Sequence, residues 1–394
     1  MKILMLSPYF PYPPYDGGKV RVYNLIKHLS KKNDIYLLSF IETEDSLKHI
    51  AVLKQYCKEV HTVLRKENSR IAIEGIPRCV SFYYTPEMII KLERLIEEIK
   101  PDIVQVDFLV MTAYVKHIKK IPVIYVEHDM SILDFNQSFH DRDLCEKERF
   151  KEWAGLVKYE KEALKKFDAV IALSERDMQI LAGIVNADKL YLAPTGVDID
   201  YYRPSKINYN KNSNNILFVG HYRHYPNYDA INYFIKSILP LIVKKLPDVK
   251  FYAVGSGNYE GLFSDAGDNT VITGEVEDIR KYMELASVFV APVRLGGGIK
   301  GKILEAMASG VPVVATKEVS EGIKCKNGTD IIIANNTKDF ALKVVKLLKN
   351  PELRKKISTK ARQTAEYSYD WVKISEKLNN FYLRVLCKNG AYEK

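Results

Sequence analysis

Cysteine is scarce in this chain of 394 residues: Cys57, Cys79, Cys145, Cys325 and Cys387 are odd in number and widely scattered. No two form a CxxC pair, which argues against a disulfide framework and a zinc site and fits a reducing cytoplasm. Long apolar runs are missing too. No stretch approaches the roughly 20 apolar residues that span a bilayer. The start, MKILMLSPYF, is soon broken by PYPPYDGG and reads as a first strand and its loop rather than a secretory signal. There is no repeat at a solenoid period, and the Asn-rich tract around Asn208–Asn215 is the one biased segment.

Acidic excess is absent, and the basic excess is uneven. The first 200 residues nearly balance, with 29 Lys+Arg against 30 Asp+Glu, whereas the remaining 194 carry 30 against 19. The net charge of +10 therefore belongs to the second half, which points to an anionic ligand there. Basic residues are not interleaved with aromatics in a compact module, so nucleic acid is not the expected partner. The densest cluster, KNPELRKKISTKAR (349–362), alternates like the solvated face of a helix, with contact to a membrane surface as the alternative.

What is present is a βαβ rhythm. Length favours two domains of roughly 200 residues, and 47% hydrophobic residues are ample for two cores. Apolar runs at 2–7, 34–40, 103–107, 121–129 and 168–174 alternate with amphipathic stretches. The rhythm stops at KLYLAPTGVDIDYYRP and restarts with ILFVG after the polar run SKINYNKNSNN. Runs at 250–257, 271–276, 287–292, 311–316 and 330–335 continue it, and helical stretches close the chain. The expected fold is α/β: two Rossmann-like, doubly wound parallel-sheet domains facing each other across a cleft. We expect a first domain over 1–204, a linker over 205–215 and a second domain over 216–369. The helix in 370–394 is expected to pack back on the first domain. Such sheets bind ligands beyond the carboxyl ends of their strands.

Four segments fall at those ends. RLGGGIKGKILEAMASG follows the strand SVFVAP, so Gly297 and Gly298 let backbone approach a ligand, and the following helix offers unpaired N–H groups to an anion. Arg294, Lys300 and Lys302 add charge, and Gly310 stops the helix. Glu305 stands one turn beyond Lys302, able to accept from sugar hydroxyls or merely to pair with Lys302. The run resembles a phosphate loop of the G-x-x-x-x-G-K-[ST] type, but Ile303 replaces the hydroxyl residue, which excludes that reading. Gly17 and Gly18 open a helix beyond the first strand, behind a lobe of prolines and tyrosines. His128 ends the strand PVIYVEHD, where a proton handler or a hydrogen-bond donor to a substrate would sit, with an ordinary structural histidine as the alternative. HYRHYPNYD holds His221, Arg223 and His224, with no spacing that completes a metal site. GSGNYEG (255–261) serves equally well as a plain loop or a ligand contact.

These residues resemble a family. LEAMASGVPVVAT is similar to the signature of the family 4, group 1 retaining glycosyltransferases of GT-B architecture. GGKVRVYNLIKHLS, IYVEHDM, DAVIALSERD, APTGVDIDYYRP and ILFVGHYRHYPNYDAINYF follow in the family's order, covering nearly the whole chain. The resemblance implies a nucleotide-diphosphate-sugar donor, UDP- or GDP-linked, held mainly by the second domain and used without a metal or further cofactor. By position, Glu305 would hold the ribose. Gly297, Gly298 and the helix N-terminus would hold the diphosphate, with cations from Arg223, Arg294, Lys300 or Lys302. Gly17 and Gly18 would approach the donor, and His128, with Lys302 and Arg294, would serve the reacting centre. Expected acceptors are carbohydrates or lipid-linked glycans of the cell envelope, which implies a cytoplasmic enzyme with peripheral contact at the inner membrane face. Two departures stand out: Gly297 occupies a position where many members carry a glutamate, and His221 and Pro226 stand where many carry arginine and lysine. No facing carboxylate pair of the glycosidase kind is present. The rival readings are a non-catalytic nucleotide-sugar-binding subunit and a GT-B nucleotide-sugar epimerase.

Overall fold

The computed structural model describes residues 1–66, 74–133, 145–204, 213–257, 263, 266–295, 301–320 and 322–390. The chain divides into two compact units, one of Met1–Pro194 with Ile374–Lys394, the other of Thr195–Lys373.

The first unit holds seven strands: β1 (Lys2–Ser7), β2 (Asp34–Ile41), β3 (Cys57–Leu64), β4 (Ile103–Asp107), β5 (Val123–Val126), β6 (Ala169–Ala172) and β7 (Leu190–Leu192). All their pairings are parallel, in the order β3-β2-β1-β4-β5-β6-β7. β4, β5 and β6 are buried at every residue, as strands covered on both faces must be. Three helices matter here: α1 (Gly17–Leu29), α2 (Pro86–Ile99) and α3 (Glu146–Leu164). Asp16 caps α1 by accepting from the Lys19 amide. Met88, Leu92, Leu95 and Ile99 give α2 one apolar stripe at helical spacing. The strand order reverses between β1 and β4, so the crevice for a ligand opens where the loops after those strands diverge.

The second unit repeats the plan with β8 (Asn215–Val219), β9 (Lys250–Val254), β10 (Thr270–Ile272), β11 (Val288–Ala291), β12 (Val313–Thr316) and β13 (Ile332–Ala334). Their order is β10-β9-β8-β11-β12-β13, again parallel throughout. Here the reversal falls between β8 and β11. The helices used below are α4 (Tyr225–Tyr233), α5 (Gly301–Ala308), α6 (Thr337–Lys349) and α7 (Pro351–Ser368). Gly310 ends the α5 turn at φ +73°, a left-handed position that favours glycine. A last helix, α8 (Trp371–Lys388), starts in this unit and belongs to the first unit from Ile374 onward. There Phe381 stacks on Tyr191, with ring centroids 4.2 Å apart, and Leu378, Tyr382 and Leu386 are fully buried.

Three sequence expectations need correction. Residues 195–204, assigned above to the first domain, belong to the second unit. Arg362 explains why: its Nη1 donates to the carbonyls of Ile199, Tyr202 and Ala308, and the Val197 amide bonds to Tyr369. Of the expected linker, 205–212 lie outside the described residues. Second, the basic run 349–362 is only partly a solvated face. Its lysines are exposed, but Arg354 is buried and donates to the carbonyls of Leu347 and Leu348, closing the end of α6. Third, β3 was missed because it pairs on one side only, so its polar alternation CKEVHTVL does not read as a buried strand.

Candidate functional site

Each unit presents its own group of candidate residues at the carboxyl edge of its sheet. In the second unit the edge is knitted by glycines. The Gly255 Cα lies so close to the Gly220 carbonyl that a Cβ there would stand 1.9 Å from the oxygen. Gly257 has φ +94°, and the His221 ring packs over it, 3.0 Å from where a Cβ would be. Tyr222 is buried beneath. Its hydroxyl donates to the Ala253 carbonyl and accepts from the Gly274 amide, tying the ends of β8, β9 and β10 together. The first half of GSGNYEG therefore has a structural role, and its later residues, 258–261, lie outside the described ones.

Gly297, Gly298 and Lys300 also lie outside the described residues; α5 begins just after them. On α5, Glu305 keeps part of its surface accessible, yet burial of its carboxyl lifts its pKa from the ordinary 4.5 to about 7. The Tyr202 hydroxyl, which donates to the carboxyl, and the Lys302 charge both work against that rise. Glu305 does not form the simple surface pair with Lys302 that the sequence also allowed. Lys302 Nζ donates to Asn227 Oδ1 and lies 4.4 Å from the centroid of the Phe218 ring. Asn227 in turn donates to the His221 carbonyl and fills the space beside Gly220, where a Cβ would meet its Cγ at 2.8 Å. It is the hub of this corner, and the Pro–Asn pair in HYRHYPNYD was its only trace in the sequence. Arg294 turns to α4, forming a two-point pair with Asp229 (2.5 and 3.1 Å) and lying 4.3 Å from the centroid of the Tyr233 ring. Arg223 is exposed in the turn before α4.

In the first unit, Gly17 and Gly18 start α1 beyond β1 and behave differently. A Cβ on Gly17 meets nothing within 4 Å, whereas one on Gly18 would stand 2.5 Å from the Phe108 ring. Phe108 follows β4 with φ +69° and ψ 144°, a conformation rare for any side-chain-bearing residue. Its ring stacks on His128 at 3.7 Å and 10°. His128 Nε2 lies 3.0 Å from Asp107 Oδ1, with the histidine side chain 4% and the aspartate 0% exposed. Asp107, Phe108 and the Gln105 that donates to Asp107 were not singled out in the sequence. Their signal was available: two polar residues two apart in the otherwise apolar strand IVQVD.

Behind His128 sits a pair of buried carboxyls. Glu127 accepts from the Tyr125 hydroxyl and the Asp129 amide; Glu160, on α3, accepts from Ser131. Burial first, then the nearby Glu160 and Asp129 charges, hold Glu127 well above the ordinary carboxyl range, and burial raises Glu160 as well. A hydrogen bond between the two carboxyls needs one shared proton.

With that geometry in place, known proteins can be compared. Residues 15–201 match the family "Glycosyltransferase Family 4", and residues 213–350 match "Glycosyl transferases group 1". This chain belongs to the family 4, group 1 glycosyltransferases. Among relatives of this glycosyltransferase, a Klebsiella pneumoniae protein described as an uncharacterized 44.6 kDa protein in cps region is 23% identical over 95% of this chain and 97% of that one. A phosphatidyl-myo-inositol mannosyltransferase of Mycolicibacterium smegmatis is 28% identical over 48% of this chain, a match spanning only 50% of that protein. Solved structures agree on the GT-B fold. Sucrose-phosphate synthase from Thermosynechococcus elongatus superposes with a TM-score of 0.73 at 14% identity, covering 98% of this chain and 100% of that one. Anabaena HepE in complex with UDP gives 0.70 at 16% identity with the same coverage. Among the described residues no helix is long and apolar enough to cross a membrane.

Proposed function

We propose that this glycosyltransferase moves a hexosyl group from a nucleotide-diphosphate-sugar to a carbohydrate, lipid-linked or other envelope acceptor, with retention of anomeric configuration and without a metal. The observation that carries this reading is the Glu305 carboxyl at the first turns of α5, beyond the carboxyl edge of β11. A ribose diol there would donate two hydrogen bonds to the carboxylate and so share the role of the Tyr202 hydroxyl. The diphosphate would lie toward the N-terminus of α5, near Gly297, Gly298, Lys300 and Arg223. Lys302, fixed by Asn227, would act as a stationary charge rather than a mobile one, and Arg294 would brace α4 through Asp229. This shifts Arg294 from a role at the reacting centre to support of the loop.

In the first unit, Gly17 and Gly18 would let backbone approach the donor, and His128 would bond to a sugar hydroxyl. The bond from the anomeric carbon to the phosphate oxygen breaks with its electron pair leaving on the diphosphate. The acceptor hydroxyl attacks the anomeric carbon from the same face, and its proton passes to the departing phosphate oxygen. The protein's part is to stabilise negative charge building on the diphosphate with fixed dipoles and cations. The relative named for mannosyl transfer to phosphatidyl-myo-inositol and the fold neighbour bound to UDP support a lipid-type acceptor and a UDP-type donor. A lipid-linked acceptor further implies peripheral contact with the inner face of the membrane. The test is release of nucleoside diphosphate from a panel of UDP- and GDP-sugars with and without envelope acceptor fractions. Acceptor-dependent release is expected. Nucleotide binding with no release from any donor would instead mark a non-catalytic subunit.

A further inference from the structure

A chain of buried hydrogen bonds runs from the C-terminal helix to His128, all within the first unit. The Tyr382 hydroxyl on α8 bonds to Gln105 Oε1, Gln105 Nε2 lies 2.7 Å from Asp107 Oδ2, and Asp107 Oδ1 lies 3.0 Å from His128 Nε2. Gln105, Asp107 and Tyr382 are each 0% exposed. The direction of the chain follows from chemistry. A carboxylate at Asp107 can only accept, so Gln105 must turn its amide NH₂ toward it and its carbonyl toward Tyr382, which then donates. By the same rule the histidine nitrogen facing Asp107 must carry a proton. Nδ1, on the other side of the ring, makes no hydrogen bond to any described residue. Phe108 lies flat against the imidazole and blocks rotation, and Gly18 is small enough to let Phe108 lie there.

A buried cation completes the arrangement. Arg21, on α1, is 0% exposed, and one of its nitrogens donates to the Pro194 carbonyl at 2.8 Å. Its Nε and Nη2 make no hydrogen bond to any described residue. Burial lowers its pKa to about 10 while the Asp107 charge acts to raise it. Arg21 therefore stays charged at neutral pH and offsets the buried Asp107 carboxylate.

We propose that Asp107, oriented by Gln105 and Tyr382, is a positioning residue that locks His128 as the Nε2–H tautomer, so that His128 meets the donor's sugar as a hydrogen-bond acceptor through Nδ1. The inference rests on the reading that His128 faces the donor sugar. It goes further in assigning which nitrogen faces the sugar, which partner donates, and which residues set that polarity. A sugar hydroxyl must then donate to His128, and a donor whose hydroxyl is replaced by hydrogen or fluorine loses the contact.

The test uses the full chain labelled with ¹⁵N-histidine, with His128 assigned by comparison with His128→Gln. Long-range ¹H–¹⁵N spectra of the neutral imidazole report which nitrogen carries the proton. The wild-type protein is expected to show Nε2–H and an unprotonated Nδ1. In Asp107→Asn the Gln105 amide still needs an acceptor, so the carbonyl of the substituted side chain turns to it and the new NH₂ group faces His128. The tautomer should flip to Nδ1–H, and kcat/KM should fall about ten- to a hundredfold while affinity for free UDP or GDP stays the same. The matching deoxy-sugar donor should show no further loss in this variant. If Asp107→Asn does not fold, Asp107→Ala removes the acceptor that faces Nε2, and both tautomers should become populated. An Nδ1–H tautomer in the wild type, or an unchanged tautomer in both variants, overturns the proposal. A flip with unchanged kcat/KM overturns the contact between His128 and the sugar, and with it the functional reading of His128, while leaving Asp107's control of the tautomer measured.

Discussion

Replacing Glu305 with glutamine should make the second unit more stable and a poorer nucleotide binder, and the stability gain should depend on pH. Burial raises the carboxyl from 4.5 to about 7, so ionising it in the folded chain is uphill. Each pKa unit corresponds to about 1.4 kcal/mol, which sets an upper limit of about 3.5 kcal/mol. Because part of the residue still reaches solvent, about 2 kcal/mol is the better figure. The sign follows from proton binding. Below about 4.5 both folded and unfolded chains hold the proton, and the residue adds no pH-dependent term. Between 4.5 and 7 the unfolded chain releases it first, so stability falls as pH rises; above 7 the full penalty is present. Glutamine carries no such penalty and can still accept from Tyr202. Calorimetric scans of the full chain at pH 4.5 and pH 8 would read the effect, with added nucleotide identifying the transition of the second unit. At pH 8 the variant's transition should rise by about 4–8 °C, and at pH 4.5 by almost nothing. Nucleotide affinity should fall on the order of tenfold to a hundredfold, since hydrogen bonds to a charged acceptor are lost. An equal gain at both pH values, or no gain at pH 8, would refute desolvation as the origin of the shift.

Two further substitutions probe the first unit. Gly18→Ala forces a Cβ into the Phe108 ring and should lower stability by about 1–3 kcal/mol, whereas Gly17→Ala, with open space around it, should leave melting unchanged within about 1 kcal/mol. Equal melting temperatures for the two would contradict the placement of Phe108. Glu127→Gln removes the proton-sharing of the buried carboxyl pair. Burial holds the Glu127 carboxyl well above its ordinary range in the folded chain, so wild-type stability should decline as pH rises above about 4.5, where the unfolded chain releases the proton first. The variant's decline should be shallower; parallel curves in calorimetry would exclude the pair as the cause.

Much of this arrangement was legible in the sequence, for physical reasons that vary by element. Strands buried on both faces, such as VIYV and VFVA, announce themselves by continuous apolar character, whereas β3, paired on one side, does not. The run LEAMASG gave Glu305 and Gly310 because a helix start after a glycine turn has few alternatives. Tertiary partners were hidden. Nothing local to Arg362 says that it collects three carbonyls and so pulls 195–204 into the second unit, and nothing local to Arg294 says that Asp229 holds it. Likewise, the Asp107–His128 contact joins residues 21 apart, visible only once β4 and β5 lie side by side. Charge counts placed the basic excess in the second half of the chain but could not separate lysines in solvent from the buried Arg354.

The most direct test of the central claim, that Glu305 holds the ribose of a nucleotide-sugar, is a ligand–protein cycle by titration calorimetry. UDP or GDP, whichever binds more tightly, and its 2′,3′-dideoxy analogue would each be titrated into wild type and Glu305→Ala. The account predicts that the wild type loses on the order of tenfold to a hundredfold in affinity when the hydroxyls are removed and that Glu305→Ala loses almost nothing further. Equal losses in the two proteins would contradict it.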